Sequence, residues 1–265
     1  MRKSLLSFLL IFCLMIPCAV VFTACDKNDP PKKEEPPTIV YVTEETTLAS
    51  AIEQVAEGGQ VVLNVDVTLE TQINVSKKMT LNMNGKRINN TTDIWNEYQK
   101  DENGDYVLDG DNQKIKLPTN EQVWSLISVR ENGELIVTGN GRMEAKLNDC
   151  YVFDVRGGKL TIENGQFMGN VSVVYVYTGE AVIDTGVYAI QQVASGIPEY
   201  SLLINCYNEN YENDTANITI NGGLFVEYDP SAYPSEGNFL AEGLIVTSQD
   251  MQGRTAYIVT ADTNA

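Results

Sequence analysis

Histidine is missing from the 265-residue sequence altogether. That removes the side chain most used for general acid–base work near neutral pH, the Ser–His and Cys–His nucleophile pairs, and the commonest zinc ligand. Basic residues are scarce too, 18 against 36 acidic, for a formal net charge of −18. A chain this acidic disfavours DNA, RNA and anionic lipid as partners, and it repels polyanionic glycans unless a cation such as Ca²⁺ bridges them. Beyond the first two dozen residues no apolar run approaches the roughly 18–20 residues that a membrane-spanning helix needs. Of five cysteines, Cys13, Cys18 and Cys25 lie near the N-terminus, leaving only Cys150 and Cys206 in the body of the chain.

The N-terminus has the layout of a secretory signal. Met1-Arg2-Lys3 is basic, Leu5 to Val21 is apolar apart from Ser7 and Pro17, and small residues precede Cys25. The run Val21-Phe22-Thr23-Ala24-Cys25 resembles the bacterial lipobox. The resemblance implies removal of residues 1–24, lipidation of Cys25, and an extracytoplasmic protein held at the bacterial cell envelope by its lipid alone. The alternative is an uncleaved membrane anchor, for which roughly seventeen apolar residues is short. Residues 25–37 are charged and Pro-rich, the composition of an extended solvated tether. The remaining stretch, 38–265, is read as one folded domain. Without Arg2 and Lys3, 16 basic residues face 36 acidic ones, a net charge of about −20. An oxidising compartment would permit a Cys150–Cys206 disulfide; the strand patterns around both favour buried free thiols.

Four segments superimpose on one template: Gly133-Glu-Leu-Ile-Val-Thr, Gly158-Lys-Leu-Thr-Ile-Glu-Asn-Gly165-Gln-Phe167, Gly179-Glu-Ala-Val-Ile-Asp-Thr-Gly186-Val-Tyr188 and Ala216-Asn-Ile-Thr-Ile-Asn-Gly-Gly223-Leu-Phe225. Met79-Thr-Leu-Asn-Met-Asn-Gly85 is an earlier copy. Each has a small residue, alternating apolar positions, then Gly and an aromatic. The anchors Gly133, Gly158 and Gly179 are 25 and 21 residues apart, and the step to Ala216 is 37. A period in the low twenties is too short for a propeller blade or a helical pair, and the Leu-rich consensus of a leucine-rich repeat is missing. It fits one turn of an all-β solenoid: a right-handed, single-stranded parallel β-helix. Leu135, Leu160, Ala181 and Ile218, with Val137, Ile162, Ile183 and Ile220, are expected to stack inward, with Glu134, Lys159, Glu180 and Asn217 facing solvent.

From Ile39 to Ala261 the chain resembles the pectate-lyase-like parallel β-helices of bacterial surface proteins, adhesins among them. The run Thr47-Leu-Ala-Ser-Ala-Ile-Glu-Gln-Val-Ala-Glu-Gly58-Gly59 before Val61-Val-Leu-Asn-Val is similar to that family's N-terminal cap. Leu48, Ala51, Ile52 and Val55 share one helical face, Thr46 or Thr47 can cap the helix, and Gly58 can stop it. At the other end Leu244-Ile-Val and Tyr257-Ile-Val flank Gln249-Asp-Met-Gln-Gly253, which predicts a capping hairpin. The resemblance implies a fold that hosts lyases, hydrolases and non-catalytic adhesins alike. The family's Arg-x-Pro-x-x-Arg pattern, adjacent aspartates and histidine motif are absent from this sequence.

Catalysis therefore has weak candidates. Glu163 and Asp184 occupy equivalent outward positions on successive turns, about 4.8 Å apart, a spacing open to a paired-carboxylate mechanism or to two solvated acids. Binding has a better case. Aligning Val129, Val155, Val176 and Cys206 as inward places Arg130, Arg156, Tyr177 and Tyr207 in one outward column and Ser128, Asp154, Tyr175 and Asn205 in the next. Tyrosine rings stack on sugar C–H faces, while Asp, Asn and Arg bond hydroxyls; the other reading is an ordinary strand face. Asp101, Asn103 and Asp105 alternate like oxygen ligands of a Ca²⁺ loop, yet Tyr106 and Asn112 break the EF-hand pattern. A hairpin insertion turning at Asn103-Gly104 is expected instead. A second insertion, Tyr207 to Thr215, is polar and acidic and should project beside Tyr207. The sequence thus points to a cofactor-free surface binding or adhesion protein with a glycan as ligand. A cell-surface protein partner, a structural or partner-docking envelope role, and a polysaccharide lyase or glycoside hydrolase are the alternatives.

Overall fold

Strict alternation of apolar and polar residues commits this chain to strands with one buried face, and its repetition commits those strands to stacking. The computed structural model describes residues 38–192, 202–232 and 239–262. All of these lie in one compact unit, Pro36–Ala265. The expected signal of residues 1–24, the expected tether of residues 25–37 and Cys25 fall outside the described residues.

The protein is all-β, with parallel strands arranged in three ladders that the chain visits in cyclic order. The first ladder runs from Ile39–Val42 through Gly59–Leu63, Lys78–Asn82, Glu134–Thr138 and the second halves of Tyr151–Ile162 and Val174–Ile183 to Ala216–Ile220. The second comprises Val67–Leu69, Arg87–Asn90, Arg142–Glu144, Gln166–Gly169, Val187–Ile190 and Gly223–Val226. The third comprises Ile73–Val75, Ser125–Arg130, the first halves of the two long strands, and Ile204–Cys206. The repeat template falls into the expected register: Leu135 lies beside Leu160, Leu160 beside Ala181, and Ala181 beside Ile218. Leu135, Leu160 and Ala181 are completely buried, as are Val137, Ile162 and Ile183. On the outside of this ladder the pairs Lys78–Glu134 and Lys159–Glu180 form exposed ion pairs of 2.8 and 3.1 Å.

The Gly-x-aromatic ending of the repeat has a steric cause. Phe167, Tyr188 and Phe225 stack inside the second ladder, with ring centroids 5.4 and 5.0 Å apart and planes 20° and 13° from parallel. Each ring lies against the glycine two residues before it. A Cβ on Gly165 would sit 2.5 Å from Phe167, one on Gly186 would sit 2.8 Å from the Tyr188 hydroxyl, and φ at the two glycines is +139° and +127°. Only glycine meets both demands.

Both ends are covered. The helix Leu48–Gln54 buries Leu48, Ala51 and Ile52, and the Thr47 side chain accepts a 3.2 Å bond from the Ser50 N–H. It stops earlier than expected, because Val55 already has extended backbone and turns its own side chain into the core. Gly58, with φ +74°, instead serves the next turn, donating its N–H to the Lys78 carbonyl. At the other end the antiparallel hairpin Leu244–Met251/Arg254–Ala261 closes on Gly223–Val226 and turns at Gln252-Gly253, both with positive φ. Cys150 and Cys206 are both buried. Among the described residues no helix is long and apolar enough to cross a membrane.

Residues 91–124 leave the ladders as an insertion. Bridges Tyr98 to Lys116, Lys100 to Tyr106 and Leu108 to Lys114 make it a compact antiparallel unit. Three backbone bonds close a triangle in it, from Gln99 N–H to Ile115, Ile115 N–H to Val107, and Val107 N–H to Gln99, at 2.9–3.0 Å.

Candidate ligand-binding site

The insertion decides what the third ladder can present. As the sequence predicts, Val129, Val155, Val176 and Cys206 share one inward column, and Ser128, Asp154, Tyr175 and Asn205 are partners across the strands beside it. Arg130 partners Arg156, as expected. The register then slips: Arg156 lies opposite Thr178, so Tyr177 is bulged out of the column towards Tyr207.

Of the residues expected to be open to a ligand, Asp154 is covered and Arg156 is covered except where it lines a cleft. Asp154 is 0% exposed and Arg156 only 8%. Asp154 accepts a 2.6 Å bond from the Ser125 hydroxyl and forms an ion pair with Arg156. Arg156 also donates to the Thr119 carbonyl and lies over the Trp124 ring, 3.7 Å from its centroid. The physical reason is the insertion, whose C-terminal arm brings Thr119 and Trp124 across these positions. Periodicity could not show this, because the insertion is not part of the period.

What remains accessible is a row of aromatic rings. Trp95, Tyr151, Tyr175, Trp124, Tyr177 and Tyr207 follow one another with centroid separations of 5.2, 5.7, 5.6, 5.8 and 5.1 Å. Trp124 is buried in the middle, Tyr207 is 37% exposed at one end, and the other four are half-buried. Glu97 accepts from the Trp124 indole N–H at 3.2 Å and fixes that ring. Burial, with a smaller push from Glu97, raises the Tyr151 phenol to about 12, and burial also raises Tyr175. Both stay neutral at physiological pH.

A cleft flanks the row at each side. The first, of about 660 Å³, is walled by Asn74, Thr119, Asn120, Arg130, Glu131, Arg156, Tyr177 and Thr178. The second, of about 520 Å³, includes Trp95, Tyr106 and Tyr151 with Asp93, Asp149, Asn148 and Asn170. Asp149 is already occupied as a structural cap, accepting from the Ile94 and Trp95 N–H groups and from Asn90 at 2.6–3.0 Å. The Tyr207 to Thr215 segment forms the short helix Asn208–Glu212, and Asn210 donates to the Tyr177 carbonyl, so this insertion buttresses the bulge.

The weaker candidates are placed elsewhere. Glu163 and Asp184 lie side by side, each exposed, at the corner after the first ladder. Asn221 donates to Asp184 at 2.8 Å, and neither acid lines either cleft. Asp101 is a turn-former: one carboxylate oxygen accepts the Asn103 and Asp105 N–H groups at 2.9 Å, and these bonds lower its proton affinity. Asp109 repeats the device with Asp111 and Gln113. Among the described residues no three Cys, Asp or Glu side chains converge as a metal site.

Sequence reasoning missed Trp95, Tyr151, Trp124, Thr119 and Asn120. One signal was there: the chain has two tryptophans, and they stand at the two ends of the segment that breaks the repeat. Comparison with protein-family models, curated proteins and solved structures finds no match.

Proposed function

We propose that this chain is a lipid-anchored, extracytoplasmic binding protein of the bacterial envelope whose ladders wind as a right-handed parallel β-helix and whose aromatic row holds a glycan without catalysis. The observation that carries the reading is the unbroken row of six rings beside two clefts with amide and hydroxyl side chains. Half-exposed rings supply flat apolar faces for sugar C–H groups, and the flanking Asn and Thr supply hydroxyl partners. Lipidation at Cys25 and the tether of residues 25–37 would hold that face clear of the membrane.

The test is retention of the chain on immobilised glycans, compared with the Tyr177→Ala/Tyr207→Ala double variant. Retention by the parent and its loss in the variant is the expected result. Equal retention by both would move the site off the row, and retention of neither on a broad panel would favour a cell-surface protein as partner. Labelling with radioactive palmitate in a bacterial host, abolished by Cys25→Ala, tests the anchor separately.

A further inference from the structure

Two guanidinium groups meet in the wall of the first cleft. Arg156 and Arg130 are partners on adjacent strands of the third ladder. Arg156 spends Nε on Asp154 and Nη1 on the Thr119 carbonyl, and its Nη2 is buried with no acceptor. Arg130 donates three bonds, all to neutral groups: Asn74 Oδ1 at 2.7 Å, the Asn120 carbonyl at 3.0 Å and Gln72 Oε1 at 2.9 Å. Among the described residues no carboxylate stands within ion-pair distance of Arg130. Burial and then the neighbouring Arg156 charge press the proton affinity of Arg130 below its ordinary value, with Asp154 opposing. A buried charged donor with its bond unmade is costly, and an acceptor that reaches it offsets that cost.

We infer that the first cleft takes one anionic group, a carboxylate or a sulfate ester, carried on an otherwise neutral sugar, with Arg130 and Arg156 facing the oxyanion and Tyr177 the ring. The inference rests on the glycan reading above. It differs from a site for polyanions, and the surroundings set that limit. Glu131 lines the same cleft and is exposed. The chain as a whole carries a net charge of −18. Each further anion on the ligand would meet repulsion, because Arg130 and Arg156 are the only cationic side chains among the described residues that line this cleft. Arginine suits the task because its planar fork matches both carboxylate and sulfate oxygens.

The experiment is a paired panel. Each neutral oligosaccharide is immobilised beside its counterpart bearing one carboxylate and its counterpart bearing one sulfate, with polygalacturonate as the polyanion. The full chain in mild detergent is run with Arg130→Gln and with Glu131→Gln. Singly acidic members should be retained about ten-fold more tightly than their neutral pairs, an advantage that shrinks with added salt. Arg130→Gln should erase the advantage, and Glu131→Gln should widen it about two-fold. Should Arg130→Gln fail to fold by circular dichroism, the exposed Glu131 position decides. A preference for the carboxylate or for the sulfate arm identifies the group. Equal retention within every pair overturns the inference and leaves the glycan reading intact. Polygalacturonate held more tightly than the singly acidic members, or a preference indifferent to both substitutions, also overturns it. Retention of nothing removes both readings together.

Discussion

Two aromatic rows run through this protein, one inside and one outside, and they are built by different rules. In the inner row Phe167, Tyr188 and Phe225 stack almost parallel, 20° and 13° apart, because each comes from the same position of successive repeats. In the outer row neighbouring planes meet at 32–78°, because two insertion residues, Trp95 and Trp124, are set among rings from strands of the third ladder. The inner rings are bracketed by glycines and dry. Apart from the buried Trp124, the outer rings keep one side open, and Tyr177, Trp95 and Tyr151 border the two clefts. Repetition makes a core; a departure from repetition, laid over one face, makes a site.

The largest expected effect tests the inner row. Phe167→Ala removes a buried ring wedged between Phe153 and Tyr188, and should cost ~3–5 kcal/mol in urea unfolding. Tyr177→Ala, at a half-buried position with one side on solvent, should cost far less stability while lowering glycan retention. Equal stability losses at the two positions would erase the distinction between the rows. Gly186→Ala asks the same question of the glycine bracket. With φ at +127° and the Tyr188 hydroxyl 2.8 Å from the new Cβ, the loss should be ~1–3 kcal/mol. A neutral outcome would mean that the stack can shift to admit a methyl group.

Alkali should strike both rows, since burial also raises the inner-row Tyr188 well above its ordinary value, and the outer row can be tested separately. Burial raises Tyr151 to about 12 and also raises Tyr175. A phenol whose folded value lies above its unfolded value of about 10 contributes its full stability below pH ~10. As pH rises from ~10 to ~12 the unfolded chain ionises first, so the contribution is lost across that window. The urea midpoint should fall there, and Tyr151→Phe should fall less steeply than the parent. Identical slopes in parent and variant would place Tyr151 in contact with water. Between pH 6 and 9 retention should stay flat, since neither phenol titrates there and no histidine exists.

The repeat made most of this architecture legible before any coordinates. Leu135, Leu160, Ala181 and Ile218 are partners across strands because alternation leaves them no other buried arrangement. The outward columns were readable as far as Val155 and Val176, and failed one residue later, at the Tyr177 bulge. Bulges depend on local hydrogen bonding, here Asn210 to the Tyr177 carbonyl, and leave no trace in apolar spacing. Asp154 and Arg156 read as exposed for the same reason that Ser128 did: period-two logic distinguishes inward from outward and is blind to a lid. Residues 91–124 carry no copy of the repeat, so nothing in the sequence says where Trp124 and Thr119 land. Asp101, Asn103 and Asp105 show the converse, a pattern of oxygen atoms that backbone N–H groups claim.

The smallest effect belongs to a third surface, the outside of the first ladder, where charges replace rings. Lys78 and Glu134 face each other across strands at 2.8 Å, with side chains 50% and 36% exposed. Water screens a pair this open, and holding both side chains in place costs entropy, so the net contribution is ~0–1 kcal/mol. Lys78→Gln should therefore move the unfolding midpoint barely at all, and 0.5 M salt should remove whatever difference remains. The substitution should leave glycan retention untouched, because the pair lies on the first ladder and the aromatic row on the third. A salt-insensitive loss above ~1 kcal/mol would show that this ladder surface is less hydrated than its exposure implies. A loss of retention instead would extend the binding face around the corner from the third ladder to the first.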